Sequence, residues 1–163
     1  MTKEHSFQIS TTWTGNDGKG TLDYRSYRRD HDMTGPGKSS AIAGSSDRAF
    51  RGDPSRYNPE ELLVAALSAC HMLSLLHLCA DAGIVTTDYQ DDASGTMELN
   101  KDGSGQFTRV ILRPRMTITD PGRIADAEAL HTRAHQLCFI ARSVNFPVEH
   151  EPAVVSQPKE HQP

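Results

Sequence analysis

The chain has 163 residues, a net charge of -4 and 36% hydrophobic residues. This length allows one domain with a hydrophobic core. Because the chain is mildly acidic and its Lys and Arg residues are scattered, we expect neither a nucleic acid nor an anionic membrane as a partner. The first residues, Met-Thr-Lys-Glu-His-Ser, lack the apolar stretch of a signal peptide, so we expect a cytoplasmic protein with reduced thiols.

The N-terminal part predicts a β-hairpin and then a long irregular segment. Residues 6–13 favour a strand, Asp17-Gly18 is a typical hairpin turn, and residues 21–27 would form the return strand. Residues 28–57 are rich in Gly, Ser, Asp and Arg, with room for a short strand at 41–43. An irregular segment of this length in a compact domain is typical of a functional or dimer-forming loop.

The next stretch, Asn58-Pro59-Glu60-Glu61, predicts the start of a helix. Asn58 suits the N-cap, Pro59 suits the first helical position, and Glu61 completes the spacing of a capping box. Gly83 predicts the end of the helix.

This helix is apolar on nearly all sides from residue 62 to 82, which would just suffice to span a membrane. Polar side chains interrupt the run, so a buried core helix is the better interpretation. The interrupting residues are Ser68, His71, Ser74, His77 and Asp81.

The remaining elements predict a second hairpin, a second helix and a last strand. In chain order they are a strand at 84–99, a turn at 100–105, a strand at 107–119, a helix at 123–143, a strand at 145–155 and a polar tail at 156–163. Antiparallel hairpins combined with two helices indicate an α+β fold, with one domain spanning residues 1–163.

The chain has three cysteines, Cys70, Cys79 and Cys138. Cys70 and Cys138 lie on the two predicted helices, and such a pair suggests redox chemistry. The alternative is that both thiols only pack in a core. Cys79 is half a turn round the helix from Cys70, so the two cannot react with each other, and we assign Cys79 to the core.

A nucleophilic thiol must be a thiolate, and a nearby cation lowers its pKa. Cys70 lies too far into its helix to gain much from the helix N-terminus, so an arginine from another segment is needed. The candidates lie beyond the first hairpin and in the long loop; they are Arg25, Arg28, Arg29, Arg48, Arg51 and Arg56.

Two other kinds of site remain open. His131, His135 and Cys138 follow each other at i, i+4 and i+7, which places three zinc-type ligands on one helix face. His71 and His77 diverge and make a poorer pair. Cys–His hydrolysis would need a histidine beside the thiol and an orienting Asn or Asp, and nothing in the sequence places one.

Two motifs resemble the OsmC/Ohr family of organic hydroperoxide reductases, closer to its OsmC branch. The first is Asn58-Pro59-Glu60-Glu61-Leu62 followed by Ala65-Ala66-Leu67-Ser68-Ala69-Cys70, and the second is Ala134-His135-Gln136-Leu137-Cys138. The resemblance extends through the element order from about residue 6 to 155. It implies two central helices wrapped by antiparallel sheets in an intertwined homodimer with two active sites at the subunit interface.

The resemblance also implies a chemistry. Cys70 matches the peroxidatic cysteine, which becomes a sulfenic acid when it reduces an organic hydroperoxide. Cys138 matches the resolving cysteine, which forms a disulfide with it, and a small dithiol such as dihydrolipoamide restores both thiols. Neither a metal nor another cofactor is expected.

Glu60 matches the family's active-site glutamate. Ten residues along one helix rise roughly 15 Å, so Glu60 cannot touch Cys70 of its own chain, and the site would need the dimer. The hairpin arginine of the Ohr branch is replaced here by Asn16. Arg51 is therefore the first candidate for the activating cation, with Arg48 and Arg56 next. An alternative for Arg56 is that it only braces the loop against Glu60 or Glu61.

The resemblance thus implies a thiol-dependent peroxidase. An apolar pocket near Cys70 would favour organic hydroperoxides over hydrogen peroxide, and its expected lining is Leu63, Leu67, Met72 and Leu73. Phe139 stands where a proline often follows the second cysteine of the family. The rival hypotheses are a metal-binding or sensory protein that uses His131, His135 and Cys138, and a non-catalytic family member that binds small apolar ligands.

Overall fold

A computed structural model of the chain describes residues 3–157. The chain divides into two compact units, Met1–Leu62 and Leu63–Pro163. The boundary falls near the start of the long helix α1, Pro59–Asp81. The polar tail predicted at 156–163 lies for the most part outside the described residues.

The first unit contains a three-stranded antiparallel sheet. Its strands are β1 (Ser10–Trp13), β2 (His31–Thr34) and β3 (Ile42–Gly44). β2 is the central strand and pairs with both neighbours. The short strand expected at 41–43 is therefore confirmed within one residue.

The predicted hairpin between residues 6–13 and 21–27 is wrong, because β1 pairs with β2 and residues 21–27 form turns. The Asn16 side chain accepts hydrogen bonds from the amides of Gly18 (2.9 Å) and Gly20 (3.0 Å). These bonds open a wide loop in place of a two-residue turn. The loop closes where the Arg28 amide donates to the Gly15 carbonyl at 2.9 Å.

Helix α1 begins and ends as the sequence predicts. The Asn58 amide donates to Glu61 Oε2 (3.0 Å) and the Glu61 amide donates to Asn58 Oδ1 (2.7 Å), which forms a complete capping box. Gly83, with φ of 68°, follows the helix in the left-handed region that favours glycine.

By length and composition alone, α1 could also cross a membrane. A buried core helix of a soluble protein passes the same test. Its buried side chains recur every four residues, which is the pattern of a helix with one face against a core. These residues are Leu67, His71, Leu75 and Cys79.

The second unit contains two three-stranded sheets. Its strands are β4 (Thr86–Asp91), β5 (Ser94–Leu99), β6 (Gly105–Leu112), β7 (Pro114–Ile118), β8 (Val148–His150) and β9 (Ala153–Ser156). One sheet has the order β4-β7-β9 and the other the order β5-β6-β8. Each sheet combines one antiparallel and one parallel pair.

Each of the three long strands predicted in this unit is in fact two strands, one in each sheet. The chain passes between the sheets at residues 92–93, 113 and 151–152. Hydrogen bonds hold these crossings together: the Arg113 amide donates to Asp91 Oδ1 (2.6 Å), and the Glu151 amide donates to the Leu112 carbonyl (2.9 Å). Pro114 follows one crossing and Pro152 lies within another, at positions where a residue without an N–H is tolerated.

The second helix, α2, covers Ile124–Leu137 and is shorter than the predicted 123–143. It ends because Cys138 takes an extended conformation, with ψ of 108°. Residues 141–143 then form a separate 3-10 turn. Cys138 is therefore the residue that follows α2 and not a residue within it.

Two hydrophobic clusters form the core of the second unit. One packs α1 against α2 and the β4-β7-β9 sheet, and it includes Leu75, Cys79, Ala127 and Ala134. The other packs α1 against β6 around Leu67, Val110 and Leu112. Two helices combined with antiparallel and mixed sheets confirm the expected α+β class.

The capping box gives a test of how strongly the start of α1 is fixed. Replacing Asn58 with Ala removes the acceptor for the Glu61 amide, so we expect a loss of about 1 kcal/mol of unfolding free energy. Urea unfolding followed by circular dichroism measures this loss. Glu61→Gln keeps an acceptor for the Asn58 amide and should cost clearly less. Equal stability of Asn58→Ala and the unaltered chain would contradict the capping role.

Candidate functional site

Cys70 and Cys138 lie beside each other in the second unit, close enough for Cys70 to raise the pKa of the Cys138 thiol. Both are free thiols. Cys70 is partly exposed on α1, whereas Cys138 is buried directly after α2. Burial, together with the hydrogen bond to Cys70, raises the pKa of Cys138 to about 11. At neutral pH Cys138 is therefore a protonated thiol.

The chain beyond α2 wraps around the Cys138 sulfur. The Ala141 amide donates to Sγ at 3.4 Å, and the Arg142 amide donates to the Cys138 carbonyl at 3.1 Å. Backbone groups of Ala141 and Ile140 that reach the sulfur favour its negatively charged form, and they oppose part of the effect of burial on the pKa of this thiol.

Cys79 lies apart from this pair, in the core cluster of the second unit. Burial raises the pKa of its thiol. Its position confirms the assignment of Cys79 to the core.

The predicted residues Arg51 and Glu60 belong to the first unit. Arg51 follows the 3-10 turn at Arg48–Phe50 and has a φ of 67°, the one positive φ outside glycine among residues 3–157. Within that range its guanidinium has no ion pair or hydrogen bond. Glu60 is half-buried in the first turn of α1, beside the capping residue Glu61.

Three other candidate arginines are held by neighbours within the first unit. Arg28 forms ion pairs with Asp17 and Asp30, and Arg29 lies over the rings of Tyr24 (4.3 Å) and Tyr27 (4.1 Å).

The third, Arg56, donates to Asp32 Oδ1 at 3.3 Å and to the His31 carbonyl at 3.4 Å. Arg56 thus braces the loop, as the alternative held, but against β2 and not against Glu60 or Glu61.

The side chains expected to line an apolar pocket do not share one surface. Leu67 is fully buried against Val110 and Leu112, whereas Leu73 is 63% exposed. Six residues along a helix turn through about 240°, so positions 67 and 73 face different directions. Leu63 and Met72 are half-buried. An open groove of about 400 Å³ lies further along α1, lined by Leu76, Ala80 and residues 83–86.

Four histidines from three elements form a cluster that the sequence did not predict. His71 lies on α1, His131 and His135 on α2, and His150 on β8. The ring centroids are 5.3 Å apart for His71–His131, 5.7 Å for His71–His150 and 5.6 Å for His135–His150. His71 Nε2 and His131 Nδ1 share a hydrogen bond of 3.0 Å, and both rings are completely buried.

The remaining nitrogens of this buried pair, His71 Nδ1 and His131 Nε2, have no hydrogen-bond partner among residues 3–157. Burial and the neighbouring imidazoles lower the pKa of His71 to about 3, and burial and His150 lower the pKa of His131 to about 4. Both rings are therefore neutral at physiological pH. The i, i+4 spacing of His131 and His135 was the one sequence signal for the cluster, but nothing indicated that His71 and His150 would join them.

The metal site that was left open as an alternative at His131, His135 and Cys138 does not form. Among residues 3–157, no three His, Cys, Asp or Glu side chains are arranged to hold a metal ion. The reason is that His131 is hydrogen-bonded to His71, while Cys138 contacts Cys70. His131 and Cys138, which share the i, i+7 face, thus have two different partners on α1.

Comparisons with known proteins agree with this architecture. The chain is 24% identical over 154 residues to the uncharacterized protein YmaD of Bacillus subtilis, which covers 90% of this chain and 91% of YmaD.

Among solved structures, an OsmC-like protein of unknown function from Vibrio cholerae has a TM-score of 0.82 and 32% identity, covering 92% of this chain and 100% of that one. An organic hydroperoxide resistance protein from Elizabethkingia anophelis shares the fold with a TM-score of 0.67 and 18% identity, covering 96% and 100% of the two chains.

The sequence model described as "OsmC-like protein" matches residues 52–152, a range that includes α1, the cysteine pair and all four clustered histidines. Together with the 32% identity to the Vibrio cholerae protein, this match shows that the chain belongs to the OsmC-like protein family.

Proposed function

We propose that this protein is a thiol-dependent peroxidase that reduces organic hydroperoxides to alcohols. The observation that carries the proposal is the contact between the partly exposed Cys70 and the buried Cys138. The family supports it, since a protein of the same fold is named an organic hydroperoxide resistance protein. A cytoplasmic location would keep the thiols reduced between turnovers.

The first step takes place at Cys70, because its sulfur is the more accessible of the pair. The Cys70 thiolate attacks the distal oxygen of the hydroperoxide, an S–O bond forms, and the O–O bond breaks. The leaving alkoxide takes up a proton and departs as the alcohol. Cys70 is oxidised by two electrons to a sulfenic acid.

The second step uses Cys138, which is already in contact with Cys70. Its sulfur displaces the hydroxyl of the sulfenic acid, so that a disulfide forms and water leaves. Because the pKa of Cys138 is raised, its thiol does not compete for peroxide at neutral pH. An external dithiol of the dihydrolipoamide type then reduces the disulfide by exchange, and no metal or other cofactor takes part.

Arg51 is the proposed activating cation for Cys70, since its guanidinium has no ion pair within residues 3–157 and a positive charge stabilises a thiolate. Glu60 is the proposed partner that orients this arginine. The rise of α1 separates residues 60 and 70 by roughly 15 Å. We therefore assign Glu60 to the site that contains Cys70 of the partner subunit.

The outer face of α1 supports a homodimer. Ala65, Ala69 and Leu73 recur every four residues and are exposed, although α1 has a mean hydropathy of 2.0. An uncovered apolar helix face of this kind marks an interaction surface. Small residues at this spacing let a second helix approach closely, so a second copy of α1 is the proposed occupant.

A preference for organic over hydrogen peroxide is part of the proposal. Leu63 and Met72 are half-buried and lie within two helical turns of Cys70. Leu73 is exposed in the single chain and would be covered in the dimer. Leu67 supports this region from the core and is not itself open to a substrate.

Peroxide consumption with dihydrolipoamide as reductant tests the two cysteine roles. We expect Cys70→Ser to lose all turnover of cumene hydroperoxide. Cys138→Ser should still reduce one equivalent of peroxide, because Cys70 alone can form the sulfenic acid. Cys79→Ser is the matched control and should keep its activity. Inactivity of the unaltered chain toward both cumene hydroperoxide and hydrogen peroxide would refute the proposal.

The arginine assignment is tested by the rate of the first step. Removing a catalytic electrostatic partner usually costs about 10²- to 10³-fold in rate, so Arg51→Gln should slow Cys70 oxidation by a factor in this range. Arg48→Gln serves as the control, because Arg48 is an exposed arginine three residues before Arg51 that also has no ion pair within residues 3–157. Stopped-flow oxidation under single-turnover conditions measures both variants. An unchanged rate for Arg51→Gln would transfer the role to another cation.

The dimer is tested at Leu73, which is the largest of the three side chains on the exposed α1 face. A charge there would have to be buried at the helix contact, so Leu73→Glu should convert a dimer into a monomer. Sedimentation equilibrium gives the mass directly. Leu99→Glu alters a comparably exposed leucine at the tip of a hairpin and should leave the mass unchanged. A monomeric unaltered chain would rule out the proposed dimer.

A further inference from the structure

We propose that the histidine cluster positions Cys70 against Cys138 for disulfide formation, and that it releases the two thiols when an imidazole takes up a proton. The cluster consists of His71, His131, His135 and His150. The use of the disulfide in peroxide turnover rests on the function proposed above. The positioning itself concerns only the packing of α1 against α2 and is testable without peroxide.

The hydrogen bond between His71 and His131 joins α1 to α2 directly beside the thiols. His71 is the residue after Cys70, and His131 lies two helical turns before Cys138. The bond is 3.0 Å long between two rings that are fully buried. The last turn of α2 continues the connection, because the His135 carbonyl accepts the Cys138 amide at 3.3 Å. A change in this link therefore changes the separation of the two sulfurs.

The link requires neutral rings. A neutral imidazole has one donor and one acceptor nitrogen, so one ring of the pair donates and the other accepts. In either tautomer, one N–H and one lone pair are left over at His71 Nδ1 and His131 Nε2, neither of which has a partner. A first proton would create a buried charge with an unpaired donor. A second would place an N–H on both facing nitrogens and break the bond.

Within residues 3–157, no carboxylate contributes to the pKa of either ring of the buried pair. The titratable groups that face the pair are other imidazoles, His135 from α2 and His150 from β8. The carboxylates that flank His150 on the strand, Glu149 and Glu151, are exposed, and Glu151 is paired with Arg113. All charge interactions within the cluster therefore oppose protonation.

The direction of the pH effect follows from this. The pKa values of His71 and His131 are lowered to about 3 and about 4 in the packed arrangement, compared with about 6.5 for a solvated imidazole. A separated arrangement therefore binds more protons below pH 6.5. The packed arrangement is fully favoured above that pH, and its stability relative to the separated arrangement decreases as the pH falls toward 4.

The test measures the thiol–disulfide equilibrium of Cys70 and Cys138 in dithiothreitol buffers, in a Cys79→Ala background, by alkylation and mass spectrometry. His131→Leu removes the hydrogen bond. His131→Asn places an amide near the position of Nδ1 and does not titrate. His77→Gln is the control, since His77 is an exposed histidine of α1 that pairs with Asp81.

The measured equilibrium gives the effective concentration of one thiol at the other. We expect His131→Leu to lower this effective concentration by about tenfold, which is the effect of one lost buried hydrogen bond. His131→Asn should stay close to the unaltered chain at pH 7.5. Between pH 6.5 and pH 5, disulfide formation in the unaltered chain should weaken by about tenfold relative to His131→Asn, since each proton taken up can shift an equilibrium tenfold per pH unit. His77→Gln should follow the unaltered chain.

An effective concentration that His131→Leu leaves unchanged, in a protein with unaltered circular dichroism, would overturn the proposal. If His131→Leu does not fold, the pH profiles decide: identical profiles for the unaltered chain and His131→Asn would overturn it equally. Peroxide assays on the same samples separate the two proposals. A chain that forms the disulfide as expected but consumes no peroxide refutes the peroxidase and leaves the positioning role intact.

Discussion

The core cluster shared by α1, α2 and the β4-β7-β9 sheet is the constraint on which the second unit depends. Ala127 and Ala134, on the buried face of α2, belong to this cluster together with Leu75 and Cys79 of α1. Larger side chains at the two alanines would overpack the cluster, which costs about 1–3 kcal/mol in a dense core. The same packing places the residue just beyond α2 beside a thiol on α1.

The two sheets fix where α2 begins and where the chain goes after it. Three segments of the chain cross from one sheet to the other. Arg113 connects these crossings, because its amide donates to Asp91 and its side chain donates to Glu151. β8 follows the segment that carries Cys138, and its parallel pairing with β6 anchors that segment at its far end. The extended backbone at Cys138 is thus held from both sides, by the last turn of α2 and by the sheet.

Local signals in the sequence predicted the elements well where side chains act on their own backbone. Asn58, Glu61 and Gly83 defined α1 because capping and left-handed glycines depend on neighbours a few residues away. The strand breaks at 92–93 and 113 escaped prediction, because they depend on hydrogen bonds between residues more than twenty positions apart. The first hairpin was mispredicted for a local reason, because the Asn16 side chain accepts hydrogen bonds from the Gly18 and Gly20 amides and widens a turn that Asp17-Gly18 alone would have closed.

The residues of the candidate site show the same difference between local and long-range signals. Cys70 and Cys138 were identified through motifs, and their contact places a half-exposed thiol beside a buried one. The histidine cluster could not be predicted from the sequence, because His71 and His150 are brought to α2 only by tertiary packing.

Several arginines of the first unit are already held by neighbouring side chains, which reduces the number of candidates for the activating cation. Arg28, nearest to the turn where the Ohr-branch arginine is expected, is neutralised by Asp17 and Asp30, and its hydrogen bond lowers the pKa of Asp17. Arg29 is held between two tyrosine rings, which fixes its guanidinium over their faces.

Arg56 is committed to β2. Asn16, the replacement at the hairpin itself, has its side-chain oxygen committed to two backbone amides. Arg51 differs from all of these in having an uncommitted guanidinium within residues 3–157 on a backbone held at positive φ. A non-glycine residue in that region costs about 1 kcal/mol or more and persists where its surroundings enforce it, often at functional positions. Arg51 takes this conformation as the left-handed C-cap of the 3-10 turn Arg48–Phe50, where its amide donates to the Arg48 carbonyl. Its proposed role as the activating cation therefore rests on its guanidinium and not on its backbone.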